Sequence, residues 1–442
     1  MDKDKLNPYA YSMAKDLMAC RAGLPLSTAM ATVNYKLANL ASQMHIKVDT
    51  MSGYAPTPVN IYSLVLLNSG GGKNSSLSLM DRVFFADAFN KIRETVYPHY
   101  KEKALQELED KGIDRDIHNW TQSISNSTIS GMFAYAESYC LTKFGSLNIE
   151  IDEIGNAVTS KAELFENLLT PYDNGDFQPV AKRTDSNSMD ISGLPVNLYC
   201  FGNKVRLLNG DRTEQDFMQL IDEGYGRRFI FVDDNSTPKV KTPEEIMQEM
   251  KAAEDIRKQR TALRTSISDL INSRNFNKVL TLSDEAMYQY AVIKSESDAY
   301  INGKKGVLPA VQADVSERYF KTVKLAGVYA FFEGRDSVSK DNMVQAYEVV
   351  MESSKVLNKL RRVKPTHERL LDSLLEEEDR ITSQTMLAYT FINSTWTKKI
   401  VEIIDLAKQL ASERGYEWDE SVKQGVTYYT VINTTKEEKE LF

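Results

Sequence analysis

The segment that most constrains the fold is LLNSGGGKNSS at residues 66–76, where a short apolar run leads into three glycines and a lysine. The preceding residues 60–67 are rich in strand formers, and apolar side chains recur at helical spacing after residue 76. Glycines let several backbone N–H groups face one anion, the start of a helix adds partial positive charge, and the lysine supplies a mobile cation. This order of strand, loop, lysine and helix is typical of a phosphate-binding loop.

The loop departs from the usual pattern GxxxxGK[ST] at two positions. Leu67 stands where the first glycine is expected, and Asn74 stands where a serine or threonine hydroxyl normally binds Mg²⁺. Asn74 could offer its amide oxygen to the metal, or Ser75 could take over that role. The alternative interpretation is a glycine-rich turn between a strand and a helix that binds nothing.

A second apolar run, LNIEI at residues 147–151, is followed directly by Asp152 and Glu153. A nucleotidase needs one acid that holds Mg²⁺ and a second carboxylate that polarises the attacking water. Two acids at the end of a strand beside a phosphate loop would supply both groups. The alternative is that one of them only caps the next helix.

Two further strand-like segments carry polar residues at an end. The segment LPVNLYCFGNK ends near Asn203, and EGYGRRFIFV places Arg227 and Arg228 directly before a strand. Arginine is suited to stabilising charge on a transferring phosphoryl group. A solvated arginine pair at a strand edge is the alternative.

The order of these elements predicts an α/β protein. Strands alternate with helices over residues 51–240, which indicates a mostly parallel sheet covered on both faces. Residues 1–50 form a helical segment in this interpretation, and residues 241–362 read as almost wholly helical. Residues 363–442 read as three helices followed by a hairpin with Gly425 near its bend, which is the layout of a winged helix.

Composition limits the classes of function. The 442 residues include 54 basic and 62 acidic side chains, for a net charge of −8, so contact with DNA must be confined to a groove or pore. The 3 cysteines and 4 histidines are scattered, which makes zinc hydrolases and Ser-His-Asp enzymes poor candidates and favours a cytoplasmic protein, in the host cytoplasm if it is viral. No apolar run approaches the roughly 18 residues of a membrane span, so no membrane partner is expected.

The order of the motifs resembles that of AAA+ helicases, and in particular the helicase part of phage and plasmid primase–helicase proteins. The stretches ELFENLLTPYDNGDFQPVAKRTDS, GLPVNLYCFGNK and GYGRRFIFV are similar to that group. The later stretch SERYFKTVKLAGVYAFFEGRDSVSKDNMVQAYEVV resembles the helical lid of the same proteins and of MCM-type helicases. The resemblance covers about residues 60–350 and implies a P-loop NTPase core of the AAA+ type, with ATP and Mg²⁺ as cofactors.

The resemblance also implies roles for matching positions. Asp152 and Asn74 would bind the metal, Glu153 would be the catalytic base, and Asn203 would be the sensor that orients the attacking water. Arg227 or Arg228 would act as a finger on the nucleotide of a neighbouring subunit, and Arg318 would be the sensor arginine of the lid. The residues that would contact the nucleotide around the loop are Asn68, Ser69, Gly70, Gly71, Gly72, Lys73, Asn74 and Ser75.

Two places are candidates for DNA contact. Lys182 and Arg183 lie in a polar stretch where helicases of this kind carry a pore loop. Lys398 and Lys399 begin the helix that would be the recognition helix of the winged helix. Charges in residues 355–442 are nearly balanced, so a winged helix that packs on another protein is the alternative.

The sequence therefore predicts an ATP-dependent DNA helicase of a phage or mobile element. It would form a ring, expected to be a hexamer, that translocates on single-stranded DNA with other replication proteins as possible partners. One alternative is an AAA+ helicase loader or replication initiator that remodels a partner. The other is a catalytically degenerate scaffold protein that keeps the fold.

Overall fold

The structure, a computed structural model, describes most of the chain and divides it into two units. The ranges described are 1–21, 23–50, 55–67, 73–125, 128–160, 162–177, 191–208, 212–234, 241–303, 308–360, 366–376, 381–386 and 397–432, without the side chains of residues 73–75, 162, 205, 206, 376, 383, 397–399 and 432. The larger unit comprises Met1–Gly202 and Leu220–Asn358, and the smaller unit comprises Asn203–Gln219 and Lys359–Phe442.

Twelve strands lie in the described residues. They are β1 (Lys47–Val48), β2 (Thr57–Pro58), β3 (Tyr62–Leu67), β4 (Ile124–Ser125), β5 (Leu147–Ile151), β6 (Val196–Asn203), β7 (Phe229–Asp233), β8 (Val279–Leu282), β9 (Ser337–Val338), β10 (Ile381–Thr382), β11 (Glu417–Lys423) and β12 (Val426–Ile432).

The α-helices in the same residues fall into three groups along the chain. Before β6 they are α1 (Pro8–Cys20), α2 (Leu26–Gln43), α3 (Lys73–Met80), α4 (Ala86–Lys91), α5 (Tyr97–Asp110), α6 (Ile129–Thr142), α7 (Ile154–Ser160), α8 (Ala162–Glu166) and α9 (Pro171–Asn174). From β6 to β9 they are α10 (Lys204–Leu207), α11 (Arg212–Leu220), α12 (Gly226–Arg228), α13 (Pro243–Gln259), α14 (Thr261–Asp269), α15 (Asp284–Gly303), α16 (Pro309–Ser316) and α17 (Arg318–Phe332). After β9 they are α18 (Lys340–Leu360), α19 (Thr366–Glu376), α20 (Ser383–Met386) and α21 (Thr397–Glu413), and π-helical turns at Asp81–Phe85, Ile92–Val96 and Ile221–Tyr225 join successive helices.

A five-stranded sheet in the order β4-β5-β6-β3-β7 forms the centre of the larger unit. The pairings β4–β5, β5–β6 and β3–β7 are parallel. Asn60, just before β3, donates from Nδ2 to the backbone oxygen of Val196, the first residue of β6, at 2.6 Å. The amide of Leu198 donates to the oxygen of Ile61, so β3 and β6 also begin at the same edge of the sheet. The predicted α/β fold with a mostly parallel sheet is therefore confirmed.

The helices predicted for residues 1–50 are confirmed, and α2 packs directly on the sheet. It contacts β3 and β7, and nearly all its residues are buried, including polar ones such as Thr32, Tyr35 and Lys36. The hydroxyls of Thr32 and Tyr199 lie 3.0 Å apart, and the rings of Tyr35 and Tyr199 have centroids 4.7 Å apart. The N-terminal helices thus belong to the same unit as the sheet.

A second, smaller sheet in the order β2-β1-β8-β9 adds two short strands to residues 241–362, whose described part is otherwise mostly helical, as predicted. Residues of β8 alternate between exposed and buried, and β8 pairs in parallel with β1 on one side and β9 on the other. The helix α17 approaches this sheet closely at Gly327, where a Cβ would lie 2.4 Å from Cγ2 of Val48. These strands depend on partners far away in the chain, which a local helical pattern does not reveal.

A buried lysine on α17 links three elements at the beginning of β3. The ammonium of Lys324, which is 0% exposed, donates to the backbone oxygen of Pro58, the side-chain oxygen of Asn60 and the backbone oxygen of Tyr172 at 2.7–2.9 Å. Burial lowers the pKa of Lys324 to about 7, against the opposing effect of Asp173. A lysine in this position changes its charge in the neutral pH range.

We expect the free energy of unfolding of the larger unit to depend on pH through the ionisation of Lys324. The ordinary lysine pKa is near 10.4, so between about pH 7 and 10 the unfolded chain binds a proton that the folded chain does not. Stability should rise with pH across that window by up to about 1 kcal/mol per unit from this group, and Lys324→Met should remove that part of the rise. Urea unfolding at pH 7, 8 and 9 measures it, with the exposed Lys355→Met as control. Parallel pH profiles for wild type and Lys324→Met would contradict the expectation.

The smaller unit contains helices α10, α19, α20 and α21, all but the last residue of α11, and a three-stranded sheet in the order β10-β12-β11. Both strand pairings in this sheet are antiparallel. The predicted hairpin is confirmed, because β11 and β12 are joined through Gln424 and Gly425, which both have positive φ values, 53° and 79°. The core of the smaller unit contains buried apolar residues, among them Leu370, Leu374 and Ala407. In the described part of the chain, no helix is long and apolar enough to cross a membrane.

Candidate functional site

The two elements that flank the predicted phosphate-binding segment are described, and the first of them belongs to the central sheet. Strand β3 is buried along its whole length and ends at Leu67, and α3 begins at Lys73. Asn68, Ser69, Gly70, Gly71 and Gly72 lie outside the described residues, as do the side chains of Lys73, Asn74 and Ser75. The predicted strand and the predicted helix on either side of the loop are both confirmed.

The predicted acid pair is at the same edge of the sheet. Asp152 and Glu153 are half-buried and stand between the end of β5 and the first residue of α7, and only β6 separates β5 from β3. Both acids line a cleft of about 290 Å³ together with Ile124, Met132 and Ile151. The backbone oxygen of Glu153 accepts from the amide of Ala157 at the start of α7. The acids are therefore next to an open space and near the strand that leads into the loop.

Carboxylate oxygens suit Mg²⁺, which is usually held by one or two protein acids together with phosphate oxygens and water. Asp152 offers a carboxylate at the carboxyl edge of the sheet, and its role as a metal ligand stays a prediction. No cluster of three or more metal-binding acids, histidines or cysteines occurs among the residues whose positions are described.

The N-terminal helices contribute residues to this edge that the sequence analysis missed. Arg21, just after α1, donates from Nη1 to Oγ of Ser76 on α3 at 3.1 Å, and Ser76 is buried. Burial lowers the pKa of Arg21, although the carboxylates of Glu249 and Asp234 oppose the change. Asp234 follows β7, and its amide donates to the backbone oxygen of Leu66. No local motif in residues 1–50 marks Arg21, because its neighbours come from distant parts of the chain.

Asn203 is the last residue of β6 and is buried. This places it at the end of a strand, as the sequence predicted. Its role as the residue that orients the attacking water stays a prediction.

The two candidate finger arginines have different surroundings. The side chain of Arg228 is 6% exposed and donates from Nη2 to Oδ2 of Asp173 at 2.9 Å and from Nη1 to the backbone oxygen of Gly224 at 3.1 Å. The side chain of Arg227 is 39% exposed, and its Nη1 lies 3.6 Å from Oε1 of Glu317. The Arg228 side chain is thus buried in its own subunit, whereas the Arg227 side chain is partly exposed and pairs with Glu317 of the same chain.

Both arginines lie at the edge of the sheet opposite the loop. Phe229, which follows Arg228, pairs with Tyr62 at the beginning of β3. The loop follows the other end of β3, and six residues at about 3.3 Å each span about 20 Å. That length is well beyond the reach of an arginine side chain, so neither arginine can contact a nucleotide on the loop of the same chain.

Arg318, the predicted lid sensor, begins α17 and is largely buried. Its Nε donates to Oγ of Ser354 at 3.0 Å and lies 3.6 Å from Oδ2 of Asp314, which also pairs with Lys321. Residues of α16 and α18 thus hold Arg318 in a polar cluster. A role for Arg318 toward a nucleotide stays a prediction.

The candidate DNA contacts fall largely outside the described residues. Lys182 and Arg183 belong to residues 178–190, which lie outside them. Lys398 and Lys399 lie in the first turn of α21, but their side chains are outside the described set.

Comparison with known proteins gives little that bears on this site. No protein-family model matches the chain, and no curated protein matches its sequence. Among solved structures, one match is the ORC2 protein of Aeropyrum pernix, determined as ADPNP–ADP complexes, at 14% identity over 85% of this chain and 86% of that chain. The TM-score is 0.23, which is too low to decide fold or function.

Proposed function

We propose that the protein is an ATPase of the AAA+ type that acts on DNA in replication. The observation that carries the proposal is the placement of three features on one sheet. The glycine-rich loop and the acid pair Asp152–Glu153 follow strands at the carboxyl edge, and the arginine pair precedes β7 at the opposite edge. Ligands of open α/β sheets bind at the carboxyl ends of the strands, where the loop and the acids are found.

In this proposal the residues of the carboxyl edge divide the chemistry among them. Backbone N–H groups of the loop and the ammonium of Lys73 would hold the phosphates of ATP. Asp152, with Asn74, would hold Mg²⁺, which neutralises charge on the phosphates when bound. Glu153 would accept a proton from the attacking water, and Asn203 would orient that water.

The opposite placement of the arginines supports an oligomer. Because Arg227 is about 20 Å from the loop of its own chain, it would act on the nucleotide of a neighbouring subunit. Such a contact is head-to-tail, and head-to-tail contacts close into a ring when the rotation permits. We therefore propose a homo-oligomeric ring, expected to be a hexamer.

The finer proposal is a helicase of a phage or mobile element that translocates on single-stranded DNA in the host cytoplasm. Lys182 and Arg183 would contact DNA in the pore of the ring. The helices and the antiparallel sheet of the smaller unit are consistent with a winged helix, in which α21 with Lys398 and Lys399 would be the recognition helix.

A second candidate is a replication initiator or helicase loader that binds ATP and remodels a partner. The observation that favours it is the pair of departures in the loop, Leu67 and Asn74, since both weaken the expectation of rapid hydrolysis. In this alternative the site and the ring interface are the same, but turnover is slow and depends on a partner protein.

We expect single-stranded DNA to stimulate ATP turnover, as measured by phosphate release at increasing DNA concentration. The double variant Lys182→Ala/Arg183→Ala should lose much of that stimulation, and its DNA affinity should depend less on salt, by about 0.7 in slope for each phosphate contact removed. Slow turnover that only a partner protein stimulates would favour the initiator. A protein that binds no nucleotide would support the remaining alternative, a catalytically degenerate scaffold protein.

A further inference from the structure

A buried ionic cluster joins the two halves of the proposed nucleotide site. Nζ of Lys36 on α2 lies 3.0 Å from Oδ2 of Asp81 and 3.1 Å from Oε1 of Glu150, and the lysine side chain is only 1% exposed. The hydroxyl of Tyr35 donates to the same oxygen of Glu150 at 3.2 Å. Lys36, Asp81 and Glu150 are called the Lys36 cluster below.

The two carboxylates come from elements that lead to different parts of the site. Asp81 follows α3 directly, eight residues after Lys73, so it is about 12 Å along the helical axis from the predicted loop. Glu150 is on β5, two residues before Asp152 in the chain and about 7 Å away. Lys36 therefore connects the helix of the phosphate loop to the strand of the acid pair.

The charges of the Lys36 cluster oppose separation of the helix from the strand. The carboxylates of Glu150 and Asp81 raise the pKa of Lys36 although burial alone would lower it, and burial raises the pKa of Asp81. Separation of Lys36 from both acids would leave its charge buried without compensation, which is strongly unfavourable. Buried ion pairs often add little to net stability compared with apolar residues of similar size, so the cluster is better explained by the geometry that it maintains.

We propose that Lys36 is a positioning residue that sets the distance between α3, the helix that begins at Lys73, and the acids Asp152 and Glu153. It does so by holding Asp81 and Glu150 on a common cation. The inference rests on the proposed ATPase function and deepens it. Lys36 itself does not contact the nucleotide.

The test compares two kinds of variant. One removes only the lysine and leaves its two carboxylates in place, and the other removes all three charged groups. Lys36→Met leaves two carboxylates without a cation, whereas the triple variant Lys36→Met/Asp81→Leu/Glu150→Met replaces the whole cluster by apolar side chains and should fold. Lys36→Arg keeps a cation between the acids. Lys324→Met is the matched control, because Lys324 is equally buried but binds neutral oxygens at the beginning of β3.

We expect the triple variant to bind Mg-ATP within about threefold of wild type but to lose about 10²-fold in kcat, as misplacement of catalytic groups by about 1 Å commonly does. The Mg²⁺ concentration for half-maximal turnover should rise, because Asp152 shifts relative to the loop. The kcat of Lys36→Arg should be higher than that of Lys36→Met. Folded Lys324→Met should show neither the loss of kcat nor the higher Mg²⁺ requirement.

Two outcomes separate this inference from the proposed function. A wild-type protein that turns over ATP, with a triple variant that keeps kcat within threefold and an unchanged Mg²⁺ dependence, would overturn the positioning role alone. A folded wild-type protein that fails to turn over ATP would overturn the proposed function, and the positioning role with it.

Discussion

Replacement of Arg227 by alanine is expected to abolish ATP turnover while leaving the affinity for ATP nearly unchanged. An arginine finger supplied by a neighbouring subunit typically contributes a factor of about 10³–10⁵ in rate. Because Arg227 is at the edge of the sheet opposite the loop, its loss removes no contact to a nucleotide bound by its own chain. Phosphate release and binding of a fluorescent ATP analogue measure the two quantities separately.

Mixing of variants tests whether the arginine acts between subunits. Arg227→Ala and Glu153→Gln should each be inactive alone, but mixed rings contain some sites with an intact Glu153 facing an intact Arg227, so activity should partly return. Arg335→Ala is the matched control, since Arg335 is also an exposed arginine paired with a glutamate. Activity that returns in no mixture, or a protein that stays monomeric with ATP and DNA, would contradict action between subunits.

Arg228 should behave differently from Arg227. Its guanidinium is buried against Asp173 and the backbone of Gly224, so Arg228→Ala should lower the Tm of the subunit. Mixing with Glu153→Gln should then restore little, because the defect is in folding. The burial of Arg228 thus supports the choice of Arg227 as the finger, which the sequence left nearly even.

Strands β3, β5, β6 and β7 of the central sheet were predicted from the sequence, and β5 has the same limits, Leu147–Ile151, in the prediction and in the structure. Strands β3, β6 and β7 appear in the sequence as nearly continuous apolar runs, which is typical of parallel strands buried on both faces, whereas β4 has only two residues and was missed. The small strands β1, β8 and β9 were missed because they have two to four residues each and depend on pairing between distant segments.

The contribution of α2 could not be predicted for a related reason. Polar residues recur along it at helical spacing, and such a stripe normally indicates a solvated face. In the structure that stripe packs against the sheet, and Lys36 finds its two carboxylates in segments 45 and 114 residues away. Burial of a polar side chain depends on partners supplied by tertiary structure, which no local pattern contains.

The second large effect is expected at the acid pair. Glu153→Gln should preserve ATP affinity and lower kcat by about 10²–10⁴, because the amide has nearly the same shape but cannot accept a proton from water.

Lys73→Ala should instead weaken ATP binding markedly, since it removes a fixed cation from the phosphates. Equilibrium binding and single-turnover hydrolysis distinguish the two defects, because one lowers the chemical step and the other lowers occupancy.

The alternative for Glu153 is that it only caps α7, where its backbone oxygen already accepts from Ala157. Glu163→Gln on α8 is the control, because it makes the same chemical change at an exposed glutamate ten residues away. A capping residue would lower the Tm when changed but leave kcat within about threefold, and its cost would be about 1 kcal/mol. A large loss of kcat with an unchanged Tm and unchanged ATP affinity is therefore the result expected of a catalytic base, because the cleft beside Glu153 gives the attacking water a place next to its carboxylate.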